Sequence, residues 1–171
     1  MSSQSQPVMR AVNLRCPKDV EIIAGHGFFS PLTIEDLFRA VAISVPRCQF
    51  GLAMAEGSSG LVRKTGNDSD LSELAAKYVL EVGAGHFFLI LTRSAYPSQV
   101  VNAIKSLPSV VALYCATGNP VSLIVSDIGT GSAVLGVVDG GKATSVETTE
   151  DIRGRRSLLR EIGYLEDEPS H

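Results

Sequence analysis

Gly83-Ala84-Gly85-His86-Phe87-Phe88-Leu89-Ile90-Leu91 is the stretch from which the chain is best read. The apolar positions before it, Leu71, Leu74, Ala75, Tyr78 and Val82, recur at helical spacing, and Gly83 is the residue type that closes a helix in the left-handed conformation. The run from His86 to Thr92 is then continuously apolar, as in a strand covered on both faces. Histidine stands at the mouth of that strand. Its side chain changes charge near neutral pH and is a competent nucleophile toward phosphorus.

Working outward, Tyr96-Pro97-Ser98 opens a further helix with Val100, Val101 and Ile104 facing inward. Val110 to Ala116 reads as another buried strand. The succession helix, strand, helix, strand predicts a right-handed βαβ unit with a parallel strand pair. Upstream, Val8 to Leu14, Val20 to Gly25 and Gln49 to Ala55 read as strands, and Leu61 to Lys64 as a short extended piece. Thr33 with Asp36 resembles a capping box for a helix carrying Ile34, Leu37, Val41 and Ile43–Val45, which Pro46 stops. Asp68 or Ser69 caps the helix that ends at Gly83. Downstream, Val121–Ser126 and Ala133–Val138 form a hairpin around Gly129-Thr130-Gly131. Glu147 to Leu165 is helical in composition, with Ile152, Leu158, Leu159, Ile162 and Leu165 on one side. The expected architecture is α/β: a single three-layer domain over residues 8–165, with a mixed, mostly parallel sheet and helices on both faces. Residues 1–7 read as a disordered lead and 166–171 as an acidic tail. Ligands are expected at the carboxyl ends of parallel strands or in the turns beside them.

Composition narrows the function. The 171 residues carry a net charge of -3 and a pI near 5.6, without tryptophan. That balance argues against electrostatic binding to nucleic acid or to an anionic membrane. No apolar run approaches the ~20 residues that span a bilayer, and the N-terminus lacks the apolar core of a signal peptide. Cys16, Cys48 and Cys115 form neither a disulfide framework nor a zinc motif, and read as reduced thiols of a cytoplasmic protein. Gly57 to Thr65 ends in Lys-Thr like a P-loop but places Arg63, not glycine, before Lys64. Gly129-x-Gly131 lacks the third glycine of a dinucleotide fingerprint. No metal-ligand cluster is visible.

His86 is therefore the chief catalytic candidate. A phosphoryl site needs donors around the phosphate and a carboxylate to orient the imidazole. Arg63 and Lys64, with backbone N–H groups near Gly83 to Gly85, are the candidate donors. Asp68 and Asp139, both in glycine turns, are the candidate carboxylates. Asn67 and Asn119 can read polar edges of a base or ribose, and Tyr96 can stack on a base. Arg93 lies seven strand residues from His86, too far to join it. His26, in Gly25-His26-Gly27, has no company that assigns it a role.

Seven segments in register carry a resemblance: Leu61-Val62-Arg63-Lys64, Gly66-Asn67-Asp68, Gly83-Ala84-Gly85-His86-Phe87, Ala95-Tyr96-Pro97, Val101-Asn102-Ala103-Ile104-Lys105, Ala116-Thr117-Gly118-Asn119-Pro120 and Val134-Leu135-Gly136-Val137-Val138-Asp139-Gly140. Together they resemble the adenosine-specific kinase family of archaea and bacteria from about Val20 to Tyr164. The resemblance implies a three-layer α/β domain that binds adenosine or AMP and can carry phosphate on a histidine, for which His86 in the Gly-Ala-Gly-His motif is the best candidate. It also implies self-association as a homo-oligomer, a trimer being favoured. The chemistry of such a transfer calls for ATP or another phosphate donor, with magnesium, as the co-reactant. Alternatives are a non-catalytic adenosine or AMP sensor and a phosphohistidine carrier that hands its phosphate to a partner. The chain departs from the family pattern at Gly118, where alanine is usual, and across Gly25 to Leu32.

Overall fold

The computed structural model describes residues 6–28 and 33–165. The chain divides into two compact units, up to Gly140 and from Gly141 onward. The first holds eight strands and three helices in the order β1 (Val8–Leu14), β2 (Val20–Gly27), α1 (Ile34–Ser44), β3 (Gln49–Ala55), β4 (Val62–Gly66), α2 (Ser69–Val82), β5 (Phe87–Arg93), α3 (Pro97–Lys105), β6 (Val110–Thr117), β7 (Val121–Asp127) and β8 (Ser132–Asp139). The second holds α4 (Thr149–Glu161), capped by Thr148 through Asp151. Its apolar positions form no core: none of its residues is buried, and Leu158 and Ile162 are exposed. The expected acidic tail and most of the expected N-terminal lead lie outside the described residues.

The expected parallel sheet is overturned. The strands form two sheets, β4-β3-β5-β2-β6 and β1-β7-β8, and every ladder in both is antiparallel. The one parallel pairing among the described residues is an isolated bridge between Ala84 and Ser132. The β5–α3–β6 crossover does exist, but β2 occupies the slot between its two strands and pairs antiparallel with both. Sequence order could not reveal this, because the inserted strand comes from sixty residues upstream of β5.

Alternation then places the core. Along β5, Phe87, Leu89 and Leu91 face one side while Phe88 and Ile90 face the other, all fully buried. The Phe88 side packs against α1 and α3 through Leu37, Val41, Val100 and Ile104. The Phe87 side is shared by α2, with Leu71, Ala75 and Val79, and by the second sheet, with Val12, Leu123 and Val125. A second sheet thus fills a layer that helices were expected to fill alone. Ile43, expected on the inner face of α1, is exposed. Asp68 caps α2 by accepting from the Leu71 N–H at 3.0 Å, and Gly83 ends it at φ 66°.

Candidate functional site

The ladder registers fix two ends of the five-stranded sheet. His26, Gly27, Ala55, Val62, Phe87 and Val110 lie at one; Val20, Gln49, Gly66, Arg93 and Thr117 lie at the other. A seven-residue strand separates them, about 20 Å of chain. The residues expected to form a single site divide between these ends.

His86 is at the first end, immediately before β5. It is one of two non-glycine residues with positive φ among the described residues, at 63°; Ser94 is the other. Its backbone is held from both sides: its N–H donates to the Ala55 carbonyl of β3, and its carbonyl accepts from the Gly27 N–H of β2, each at 3.0 Å. Such a conformation costs a β-carbon-bearing residue on the order of 1–3 kcal/mol and persists only where its surroundings enforce it. The imidazole is half-buried. Its ring centroid lies 6.0 Å from that of His26 and 6.4 Å from that of Phe28.

Gly57 closes the near side of that ring. A Cβ there would stand 2.5 Å from His86 Nε2 and 2.7 Å from Cδ2. Gly57 belongs to the six-residue β3–β4 loop, tied by Glu56 N–H to the Leu61 carbonyl at 2.8 Å and Gly60 N–H to the Glu56 carbonyl at 3.0 Å. The Glu56 carboxylate accepts from Ser59 at 2.6 Å and from Arg63 at 2.8 and 3.1 Å, which holds its pKa below the ordinary carboxylate range. Arg63 is thus a cation at the His86 end, anchored by Glu56. Gly83 and Gly85 are here as well; a Cβ on Gly85 would lie 3.6 Å from Gly57 Cα, and Gly83 is the helix cap. Lys64 turns elsewhere and pairs with Glu73 of α2.

The other expected residues stand at the far end. Asn67 has both halves of its amide committed: Oδ1 accepts from the Phe50 N–H at 2.7 Å and Nδ2 donates to the Cys48 carbonyl at 2.8 Å. Asp68 caps α2 and accepts from Arg93 at 3.4 Å, so it cannot orient His86. Arg93 also donates to Asp19 at 2.5 Å. Asn119 donates to Asp139 at 3.1 Å, and that pair is likewise remote from the imidazole. Tyr96, at the start of α3, is 72% exposed beside a cavity of about 480 Å³ lined by Asp19, Glu21, Arg93 and Ser94. A cleft of about 690 Å³ opens between the Asn13–Lys18 segment and the Gly118–Ser122 turn. A Cβ at Gly118 would meet Glu21 Oε2 at 2.7 Å, so this departure from the family pattern makes room for a carboxylate.

Sequence reasoning passed over His26, Phe28 and Gly57. The strand expected to end at Gly25 runs on through His26 to Gly27 as β2, the strand that pairs with β5. No signal in the chain alone announces that adjacency. Among the described residues, no group of three or more His, Cys, Asp or Glu side chains is placed to share a metal ion. No helix among them is long and apolar enough to cross a membrane.

Residues 12–165 match the adenosine specific kinase family. Among solved structures, the chain is similar to the crystal structure of PH1918 protein from Pyrococcus horikoshii OT3, at 44% identity and a TM-score of 0.90, covering 95% of this chain and 100% of that one. No curated protein matches.

Proposed function

We propose, from the premise that this chain belongs to the adenosine-specific kinase family, that it binds adenosine or AMP and transfers a phosphoryl group through His86. The supporting observation is the His86 backbone, pinned in a left-handed conformation by β2 and β3 so that its ring stands at the open end of a rigid sheet. Strain that two strands enforce on a histidine is the signature of a positioned reactive group. At the same end of the sheet, Arg63 supplies positive charge and the Gly85 N–H a donor for phosphate oxygens, the Gly83 N–H being held by the Val79 carbonyl. Phe28, 56% exposed at 6.4 Å from the imidazole, offers the stacking face for adenine that Tyr96, at the far end, cannot. Magnesium, in this reading, arrives on the phosphates of the donor rather than in a site of its own.

Incubation of the protein with γ-labelled ATP and adenosine tests this. Acid-labile label on the wild-type chain, its absence in His86→Ala, and conversion of adenosine to AMP support it. Label that persists in His86→Ala would sink it.

One observation favours a second reading, a nucleotide sensor without turnover. The cleft of about 690 Å³ is of nucleoside size and lies a strand length from His86. A nucleoside seated there could not receive phosphate from the same chain. Calorimetric titration with adenosine, AMP, ADP and ATP separates the two when repeated on Asn119→Ala and Phe28→Ala.

The proposal includes a homo-oligomer, with a trimer as the expected state, and a cytoplasmic setting in keeping with three free thiols. Strands β6 and β8 lie at sheet edges and expose Val111, Leu135 and Val138. Neither carries a charged residue before Asp139. Long uncharged edges of this kind are ordinarily covered. Light scattering after gel filtration reads the subunit count.

A further inference from the structure

His26 stands on β2, opposite Phe87 in the ladder and so beside the residue proposed to carry phosphate. Its ring is tilted 35° to that of His86 with the centroids 6.0 Å apart. A direct ring-to-ring hydrogen bond needs the nitrogens about 3 Å apart, and the centroid spacing is too long for one. It is short enough for a tetrahedral group on one ring to reach the other. Neither ring sits on a loose segment: His26 is laddered to β5 and to Ala112 of β6, and the next residue, Gly27, donates to the His86 carbonyl.

The resting state of His26 suits it to answer a new charge. Burial lowers its pKa from the ordinary histidine value, and the proximity of His86 lowers it further. It is therefore neutral at pH 7. Of the charged groups at this end of the sheet, Glu56 and Arg63 are paired with each other; Glu35 and Asp36 in the first turn of α1, Glu81 in the last turn of α2 and Lys105 in the last turn of α3 lie at the same end.

We propose that His26 is the second imidazole of the phosphoryl site, taking up a proton when His86 is phosphorylated and donating a hydrogen bond to a phosphoryl oxygen. This rests on the reading of His86 as the phosphate carrier. In the transfer, the lone pair of an unprotonated His86 ring nitrogen forms the N–P bond. The bond from phosphorus to the donor's leaving group breaks, P–O in a phosphoanhydride and P–N in phosphoramidate, and its electron pair stays on the leaving phosphate or on the nitrogen that departs as ammonia. The proton gained by His26 comes from solvent. A phosphoryl group with two negative charges replaces the neighbour that disfavoured the imidazolium by one that favours it, and the hydrogen bond becomes charge-assisted.

The test uses the full chain and potassium phosphoramidate as the phosphate donor, with phosphorus NMR to count phosphohistidines and ring-proton NMR to titrate His26. The expected result is one phosphohistidine, at His86, and a His26 pKa that rises by about one unit or more on phosphorylation. His26→Leu should lose its phosphohistidine about tenfold faster, and His26→Gln, which keeps an N–H donor, should recover most of that lifetime. Amide spectra of both variants establish that they are folded. An unmoved His26 titration together with a wild-type lifetime in His26→Leu would overturn the proposal and leave His86 as carrier. Phosphorylation at His26 in place of His86 would overturn it by exchanging the roles. Absence of any phosphohistidine on the wild-type chain would overturn both readings together.

Discussion

Gly57 and His86 share one space: the volume that a side chain at 57 would claim is held by the edge of the His86 imidazole, 2.5 Å from where a Cβ would lie. The Gly57 backbone is in a conformation that alanine tolerates, so the conflict falls on the ring alone. Gly57→Ala should therefore rotate the imidazole without unfolding the chain. We expect phosphorylation to fall about tenfold or more while the midpoint of thermal unfolding moves by less than about 3 °C. A large loss of stability with normal labelling would reverse the account.

Asp68 illustrates a residue type read for chemistry and spent on architecture. It caps α2 and meets Arg93. Asp68→Ala should destabilise the chain by about 1 kcal/mol, and Asp68→Asn, which keeps the capping oxygen, should restore most of it. Urea titration of the two variants decides the matter; equal losses would assign the effect to the Arg93 pair.

Arg10 ties three elements together. Its guanidinium donates to Asp127 Oδ2 at 2.7 Å and to the Val82 carbonyl at the end of α2 at 3.0 Å, while Ser132 donates to the same carboxylate. The hydrogen bond from Arg10, then that from Ser132, holds the Asp127 pKa below the ordinary aspartate range. A carboxylate depressed on folding stabilises the chain above its unfolded pKa of about 3.9 and loses that contribution as the pH falls through its folded value. Asp127→Asn should accordingly melt below wild type at pH 7, and the gap should close below about pH 4. A gap that persists unchanged into acid would assign the effect to packing.

The thiols of Cys16 and Cys115 are pushed up to about 11 by burial. At pH 8 roughly 0.1% of each is thiolate, the reactive form. Iodoacetamide should alkylate both far more slowly in the native protein than in urea. Prompt labelling of either one at pH 8 would show that segment opening.

Within the core, Leu89→Ala should cost about 2–5 kcal/mol, because Leu89 is fully buried at the centre of the sheet. Ile43→Ala, at an exposed position of α1, should change stability by no more than about 0.5 kcal/mol. Chemical denaturation of the pair measures both.

The contrast between Ile43 and Leu89 also marks where sequence reading reaches its limit. Local signals were legible: the apolar run of β5, the Thr33–Asp36 and Asp68 caps and the Gly83 terminus all lie where short-range rules put them, because a cap or a turn is settled within a few residues. Ile43 misled because an isoleucine next to a helix end reads as apolar whichever way it faces. Strand neighbours were not legible. β5–α3–β6 has the pattern of a parallel pair, and nothing within it reports that β2 enters between the two strands. The candidate site suffered in the same way. His86 was picked out by its own segment. Its companions Gly57, His26 and Phe28 come from two other strand ends, and the polar residues chosen to accompany it, Asn67 and Asp68, answer to backbone groups at the opposite end.

That inserted strand has a consequence for biosynthesis. The chain emerges N-terminus first, so β2 leaves the ribosome well before either of the neighbours it must join. β1 waits longer still, for β7 more than a hundred residues on. Early intermediates must therefore carry unpaired apolar strands until β6 and β7 are made. Closure entropy of long loops has to be met before these ladders form, which places the fold among those that form slowly. Chaperone engagement and a refolding yield that falls with protein concentration are what such an assembly order leads to.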